Sequence, residues 1–443
     1  MLTSELLSPA GTLKNMRYSL AYGADAVYGG PPRYSLRVRN NEFNHENLLI
    51  GIQETHALNK KFYLVLNITP HNSKLNTFIS DLKPVIDLGP DALIISDPGL
   101  IMLVRENFPN MPIHLSVQAN AVNWATVKFW HNIGLNRVIL SRELSLEEIE
   151  EIRHLVPEME LEVFVHGAMC MAYSGRCLLS HYINHRDSNQ GTCTNLCRWK
   201  YHIKEEIKDF QDKIIPNNEI SSHHNKVFTI KNISPISKNN RKNSNEYMTA
   251  FEDDHGTYIF NSKDLKAVMH VERLIKIGVH SLKIEGRTKS CYYCARTAQI
   301  YRYAIDDAVS GKPFNDSLSE MLNGLANRGY TEGFLRRHTA DILQNYNSGS
   351  SVSKKQQFVG EFTGKRRGEL AQVLVKNKFY CGDNLELMTP FFNTNFILSS
   401  MENENAQSIN IALGNGHIVW IPILISIKLD YALLIRNIPN NSK

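Results

Sequence analysis

The sequence predicts an α/β chain: a (β/α)8-like barrel with a long insertion, followed by a small C-terminal β-barrel domain. Three observations lead there. Eight short apolar runs are separated by amphipathic segments of helical period, and strands that alternate with helices build a parallel sheet. The Gly-x-Gly-x-x-Gly fingerprint of an open dinucleotide-binding sheet does not follow the first run, which favours closure into a barrel. Residues 356–443 read instead as short alternating runs broken by turns at Gly364, Gly382-Asp383 and Gly414-Asn415-Gly416, the pattern of a small all-β unit.

The predicted barrel strands are Glu5–Ser8, Ala24–Tyr28, Phe62–Asn67, Ala92–Ser96, Ile113–Val117, Arg137–Ser141, Leu161–Val165 and, after a long interruption, Ser281–Glu285. Helical patterns lie between them at Leu13–Tyr22, Glu46–Leu58 and Leu146–Leu155, and a further helix, Lys289–Ala308, follows the eighth strand. Ser145 with Glu148 three residues on forms a capping box for one of them. The barrel unit thus spans 1–308, with an insertion at 201–247 whose Lys, Asn, Ser and Ile show no period and read as partly disordered surface. Residues 309–355 connect it to the β unit at 356–443. The most apolar stretch, Ile418–Ile427, contains Pro422 and is too short to cross a bilayer; it reads as a buried strand pair.

Composition narrows the class without naming a reaction. Hydrophobic residues make up 42%, enough for an ordinary core, and the formal charge of +5 permits an RNA partner without demanding one. The start, Met1–Ser8, has no basic segment leading into an apolar run. A cytoplasmic location is therefore expected, where thiols stay reduced and a cysteine cluster serves metal or catalysis.

Barrel chemistry sits at the carboxyl ends of the strands. Here those ends carry Ser8, Asn67, Ser96-Asp97, Gln118, Asn120, Arg142-Glu143, His166, and Glu285 with Arg287. Strand ends are often polar merely because they enter loops, but their convergence with a cysteine cluster favours a site. Four of the seven cysteines, Cys170, Cys177, Cys193 and Cys197, fall within 28 residues at spacings C-x6-C and C-x3-C. Four thiolates are what a cubane iron–sulfur cluster or a structural zinc takes. The wide, irregular spacing favours iron–sulfur over the tighter knuckles of zinc. Cys291 and Cys294 form a C-x-x-C inside an amphipathic helix with no second pair nearby and read as core, and Cys381 stands alone.

Other chemistries find no motif. There is no Gly-x-Ser-x-Gly, no Walker loop, and His45-Glu46 has no second His to complete a zinc-protease helix. Basic turns at Lys365-Arg366-Arg367 and Arg336-Arg337-His338 could grip phosphates or simply be solvated surface.

Several segments resemble one known family. Glu162–Cys170, Gly175–Ser180, Leu7–Gly11, Gly23–Tyr28, Ser281–Arg287 and Arg328–Phe334 are similar to the signatures of the collagenase-like peptidases of family U32, whose catalytic type is unknown. The resemblance covers nearly the whole chain, most weakly at 201–247. It implies an oxygen-independent hydroxylase rather than a protease. The branch that modifies tRNA forms 5-hydroxyuridine at the wobble position, in a route that depends on prephenate. It also implies a four-iron four-sulfur cluster on Cys170, Cys177, Cys193 and Cys197, with the tRNA anticodon loop and prephenate or a derivative as partners and room for an electron donor. Arg142, His166 and Arg287 are then candidates to hold a carboxylate or the uracil carbonyls, and Asp97, Glu143 and Glu285 to carry protons. A peptidase and a zinc-stabilised RNA-binding module are the rival readings.

Overall fold

A computed structural model describes residues 3–36, 41–169, 201–206, 227–232, 247–253, 256–257, 262–336, 353, 355–414 and 416–439. Seven parallel strands follow in order: β1 (Glu5–Pro9), β2 (Ala26–Gly29), β3 (Lys61–Leu66), β4 (Ala92–Ile95), β5 (Ile113–Leu115), β6 (Arg137–Ile139) and β7 (Glu160–Ala168). Each pairs with the next. The insertion then contributes backbone strands β8 (Tyr201–Glu206), β9 (Val227–Asn232), β10 (Tyr247–Asp253) and β11 (Gly256–Thr257). Next come β12 (Asp264–Lys266) and β13 (Ser281–Ile284). β13 pairs in parallel with both β7 and β1, which closes an eight-stranded barrel. The eight expected strands are its staves.

Many of the helices start where short polar side chains satisfy their free N–H groups. Thr12, Asn44, Asp97, Asn123, Ser145 and Ser290 each accept a hydrogen bond from the first turn. The Ser145–Glu148 capping box is formed in both directions.

Two features were not expected. β12 lies antiparallel to the end of β7, with Asp264 opposite Ala168, and carries the short β14 (Tyr330–Thr331) on its other edge. The chain therefore leaves the barrel after Met169 and re-enters it beside the same strand end. The insertion also differs from its reading as unpatterned: β8, β9 and β10 form an antiparallel ladder, extended by β11. Apolar residues in its strands fall in adjacent pairs, as at Val227-Phe228, Tyr247-Met248 and Ala250-Phe251, so no period-two alternation stands out in the sequence.

The C-terminal unit is antiparallel. It comprises β15 (Gln356–Arg367), β16 (Leu370–Val375), β17 (Phe379–Tyr380), β18 (Asn384–Met388), β19 (Asn393–Ile397), β20 (Ile411–Ala412), β21 (Ile418–Pro422) and β22 (Leu433–Asn437). Six of these form one sheet in the order β19-β18-β22-β15-β16-β21, leaving β19 and β21 as its edges among the described residues. Irregularities in β15 after Phe358 and Phe362 bend the sheet around Val359, Val373, Leu385, Val419 and Leu434. The expectation of a strand pair at Ile418–Ile427 is corrected. β21 stops at Pro422, which has no N–H to continue a ladder, and Leu424 and Ile425 stand exposed in the following turn. Arg366 holds that turn by donating to the carbonyls of Ile423, Leu424 and Ile427.

The helix Cys291–Val309 joins the two units, with 14 of its 19 residues buried. Arg296, 1% exposed, donates to Glu386 of β18 at 2.8 Å, and Gln299 donates to the Thr389 carbonyl. Burial pushes the Cys291 and Cys294 thiols up to about 12, which leaves them inert, as core residues should be. No helix of the described residues is long and apolar enough to cross a membrane.

The barrel interior is charged. Arg137 of β6 contacts Glu5 of β1 at 2.7 Å and Glu162 of β7 at 3.2 Å, and Glu162 accepts from Lys283 of β13 at 2.7 Å. Tyr63 donates to Glu5 at 2.6 Å. Although burial opposes it, Glu5 and Glu162 hold the Arg137 guanidinium charged well above its ordinary value. Arg137→Met would leave these carboxylates buried without their partner. The substitution should lower unfolding free energy by about 3–5 kcal/mol, read by chemical denaturation against wild type; a loss under about 1 kcal/mol would show that the network does not carry the barrel.

Candidate active site

Side chains alternate along a strand, so inward residues rise through the barrel two at a time. Above Glu162 on β7 comes Phe164; above Lys283 on β13 comes Glu285. With Tyr28, Asn67, Gln118, Arg142 and Arg287 they line a cavity of about 40 Å³ at the carboxyl ends of the strands. Arg142 stacks its guanidinium 3.7 Å from the Phe164 ring centre and reaches Glu285 at 3.5 Å. Arg287 donates to Ser35 at 2.5 Å. Asn67 donates to Gln118 at 3.1 Å and accepts from the Leu36 N–H. Among the described lining residues the cations Arg142, Lys283 and Arg287 outnumber the single carboxylate, Glu285. Cations converging on a small cavity suit a small anion or a polarised carbonyl.

Of the expected site residues, the structure brings Arg142, Glu285 and Arg287 together. Asp97 is not with them; its carboxylate caps the helix Pro98–Asn107 by accepting from Leu100. Glu143 lies beside Arg142 in sequence but outside the cavity wall, with Oε2 buried and without a hydrogen-bond partner among the described residues. His166 is also elsewhere. The pairing of β7 with β13 skips a residue between Phe164 and His166, and such a bulge re-aims the side chain that follows it. The ring lies among Tyr293, Tyr301 and Tyr330, with centroids 5.6 to 5.8 Å away. Burial drives its basicity down to about 3, so the imidazole is neutral. Cys170, Cys177, Cys193 and Cys197 lie outside the described residues, as do Arg337 and His338. Cys170 directly follows Met169, the last described residue at the mouth side of β7. Among the described residues no group of His, Cys, Asp and Glu could hold a metal ion.

Lys283 was missed. Its ammonium lies at the floor of the cavity, bonded to Glu162 and 4.3 Å from the centre of the Tyr28 ring. Burial pulls its pKa below the ordinary lysine value, against the pull of Glu162. The signal was available: a lysine at inward parity, between Leu282 and Ile284 and two residues before Glu285.

The buried histidines set a pH dependence. A neutral His166 with its pKa near 3 resists a proton that the unfolded chain takes up near 6.5. Its contribution is whole above pH 6.5 and is lost as pH falls from there toward 3. His114, held neutral by burial with Arg137 and Lys283 nearby, acts in the same sense. Each should steepen the acid-side loss by up to about 1.4 kcal/mol per pH unit. Denaturation midpoints compared at pH 7 and pH 5 should show a shallower fall for His166→Phe than for wild type; equal slopes would refute the neutral assignment.

Residues 11–345 match Peptidase family U32, and residues 354–436 match the Peptidase family U32 C-terminal domain. The chain is 68% identical over 441 residues to tRNA hydroxylation protein P of Escherichia coli, covering 99% of this chain and 97% of that protein. It is 64% identical to the protein of the same name from Haemophilus influenzae, with the same coverage. A more distant similarity, 27% over 83% of this chain and 49% of the other, is to the 23S rRNA 5-hydroxycytidine C2501 synthase of Escherichia coli. The chain belongs to peptidase family U32 and carries both that family's main region and its C-terminal domain.

Proposed function

We propose that this chain is a cytoplasmic tRNA hydroxylase that forms 5-hydroxyuridine at the wobble uridine, with a four-iron four-sulfur cluster and prephenate or a derivative as co-substrate. The observation that carries this is end-to-end identity of 68% to a protein named for tRNA hydroxylation. The similarity to an rRNA 5-hydroxycytidine synthase supports the same chemistry, hydroxylation at a pyrimidine C5.

The site supports the reading in its details. Arg142 and Arg287 would bind a carboxylate of the co-substrate or the uracil carbonyls, since planar guanidinium groups match such oxygens. Glu285, 3.5 Å from Arg142, would move the proton released from the ring. Glu143 could serve as a second carrier, while the positions of Asp97 and His166 fit capping and packing roles better. The cluster would be held by Cys170, Cys177, Cys193 and Cys197, a donor set of the right kind and number. When bound it would supply electron transfer or a site for the oxygen donor. The segment that contains these cysteines leaves and returns beside the end of β7, at the face where Arg142 and Glu285 converge. An anticodon-loop base is unpaired, so presenting it at the barrel mouth costs no base pairing, only unstacking.

Nucleoside analysis of tRNA is the direct test. A strain lacking this gene, and one carrying Arg142→Gln, should lose most 5-hydroxyuridine; unchanged levels in both would sink the proposal, allowance being made for any second route by complementation in a strain lacking all such genes. Protein purified without oxygen should be brown with about four irons per chain, and Cys170→Ala should bleach it. Iron-free protein after anaerobic reconstitution, or stoichiometric zinc, would favour the structural-zinc reading instead.

A further inference from the structure

A second cleft opens next to the mouth, between the barrel and the C-terminal sheet. It measures about 500 Å³, within the range of cavities that take a nucleoside. Its walls include Lys289, Tyr292 and Tyr293 from the start of the helix Cys291–Val309, and Gln356, Gln357 and Phe358 from β15. We propose that this cleft binds an unstacked nucleoside of the RNA substrate next to the one being modified. The inference rests on the tRNA reading above and adds a second contact to it.

Four features point to a base rather than another ligand. The rings of Tyr292 and Phe358 lie 5.4 Å apart and within 12° of parallel, so the wall already presents a layered aromatic stack. Aromatic faces accept any base, because every base has a π-face. The amide of Gln357 can both donate and accept, as base edges require, while that of Gln356 is held against the wall by Tyr292, Glu386 and Asn437. Lys289 supplies a cation, and no carboxylate is among the described residues that line the cleft, which suits a phosphate-bearing chain.

Position ties the cleft to the mouth. Glu285 and Arg287 line the mouth, and Lys289 and Ser290 of the same loop line the cleft. Tyr293 forms part of the cleft wall while its hydroxyl donates to the Glu285 carbonyl at 2.7 Å. One loop and one ring therefore separate the two sites. The buried Arg296–Glu386 pair, one turn further along the helix, fixes the C-terminal sheet against the barrel and so sets the cleft's width.

The test uses the full-length protein and an anticodon stem–loop RNA with fluorescence-detected binding. Phe358→Leu keeps apolar bulk and removes the aromatic face; Lys289→Gln removes the charge. Phe358→Leu should weaken binding about tenfold, the effect of losing one base–aromatic stack. An abasic site at the nucleotide beside the wobble uridine should weaken wild type similarly and abolish the further effect of Phe358→Leu. Lys289→Gln should flatten the salt dependence of binding by about one ion. Thermal unfolding of each variant confirms that the fold persists; should Phe358→Leu unfold, photocrosslinking of the wild type through 4-thiouridine at that nucleotide should label Tyr292 or Phe358. Wild-type binding with no loss in either variant, or crosslinks confined to the mouth, overturns the cleft alone. No binding by wild type overturns the tRNA reading, and the cleft with it.

Discussion

Everything in the barrel is organised around charges that have no access to water. Arg137, Glu162 and Lys283 are each at most 5% exposed in their side chains, and they belong to three different strands. Burying an ion costs several kcal/mol, and the cost is offset only when partners of opposite sign stand at hydrogen-bond distance. That requirement constrains geometry more tightly than packing alone. β6, β7, β13 and β1 can hold only the register that brings Arg137 to Glu5 and Glu162, and Lys283 to Glu162. The same register sets the height of the next inward layer. Phe164 and Glu285 stand where they do because Glu162 and Lys283 are fixed beneath them, and Arg142 rests on Phe164. The mouth is thus the top of a column whose base is electrostatic.

The second unit is secured by the same means at smaller scale. Arg296 is one of the largest fully buried side chains, and its contact with Glu386 crosses from the barrel's long helix to the C-terminal sheet. Tyr22 adds hydrogen bonds to the carbonyls of Met388 and Tyr431. Polar contacts between packed elements demand one orientation where apolar ones would tolerate several. The helix that carries them also carries Cys291 and Cys294, whose thiols face Glu361 and the Pro9 carbonyl. Their C-x-x-C spacing inside an amphipathic helix read as core, and both are buried.

What the sequence disclosed followed from periodicity. The eight staves and the capping box at Ser145 were legible because apolar alternation and cap chemistry are local. Arg142, Glu285 and Arg287 were found at strand ends because barrel topology sends strand ends to one face. The rest depended on pairing, which has no local signature. His166 is turned away from the mouth by one skipped residue in a ladder with a strand more than a hundred residues distant. β12 is three residues long and is defined by its pairing with the end of β7 and with β14. Lys283 was passed over because a buried lysine is rare; its partner Glu162, on another strand, accounts for its burial.

The stub formed by β7 and β12 has a consequence for how such a chain can change. The excursion between Met169 and Ser262 begins and ends on two neighbouring, hydrogen-bonded strands, with Gly167 opposite Leu265. Its ends are held together by the barrel whatever lies between them, so the entropy of closing the loop rises only logarithmically with its length, about 0.6 kcal/mol per doubling. The barrel register does not depend on what the excursion contains. The stub acts as a socket: segments of different size and content can be exchanged there across a lineage, or grafted by design, while the cations at the mouth keep their places.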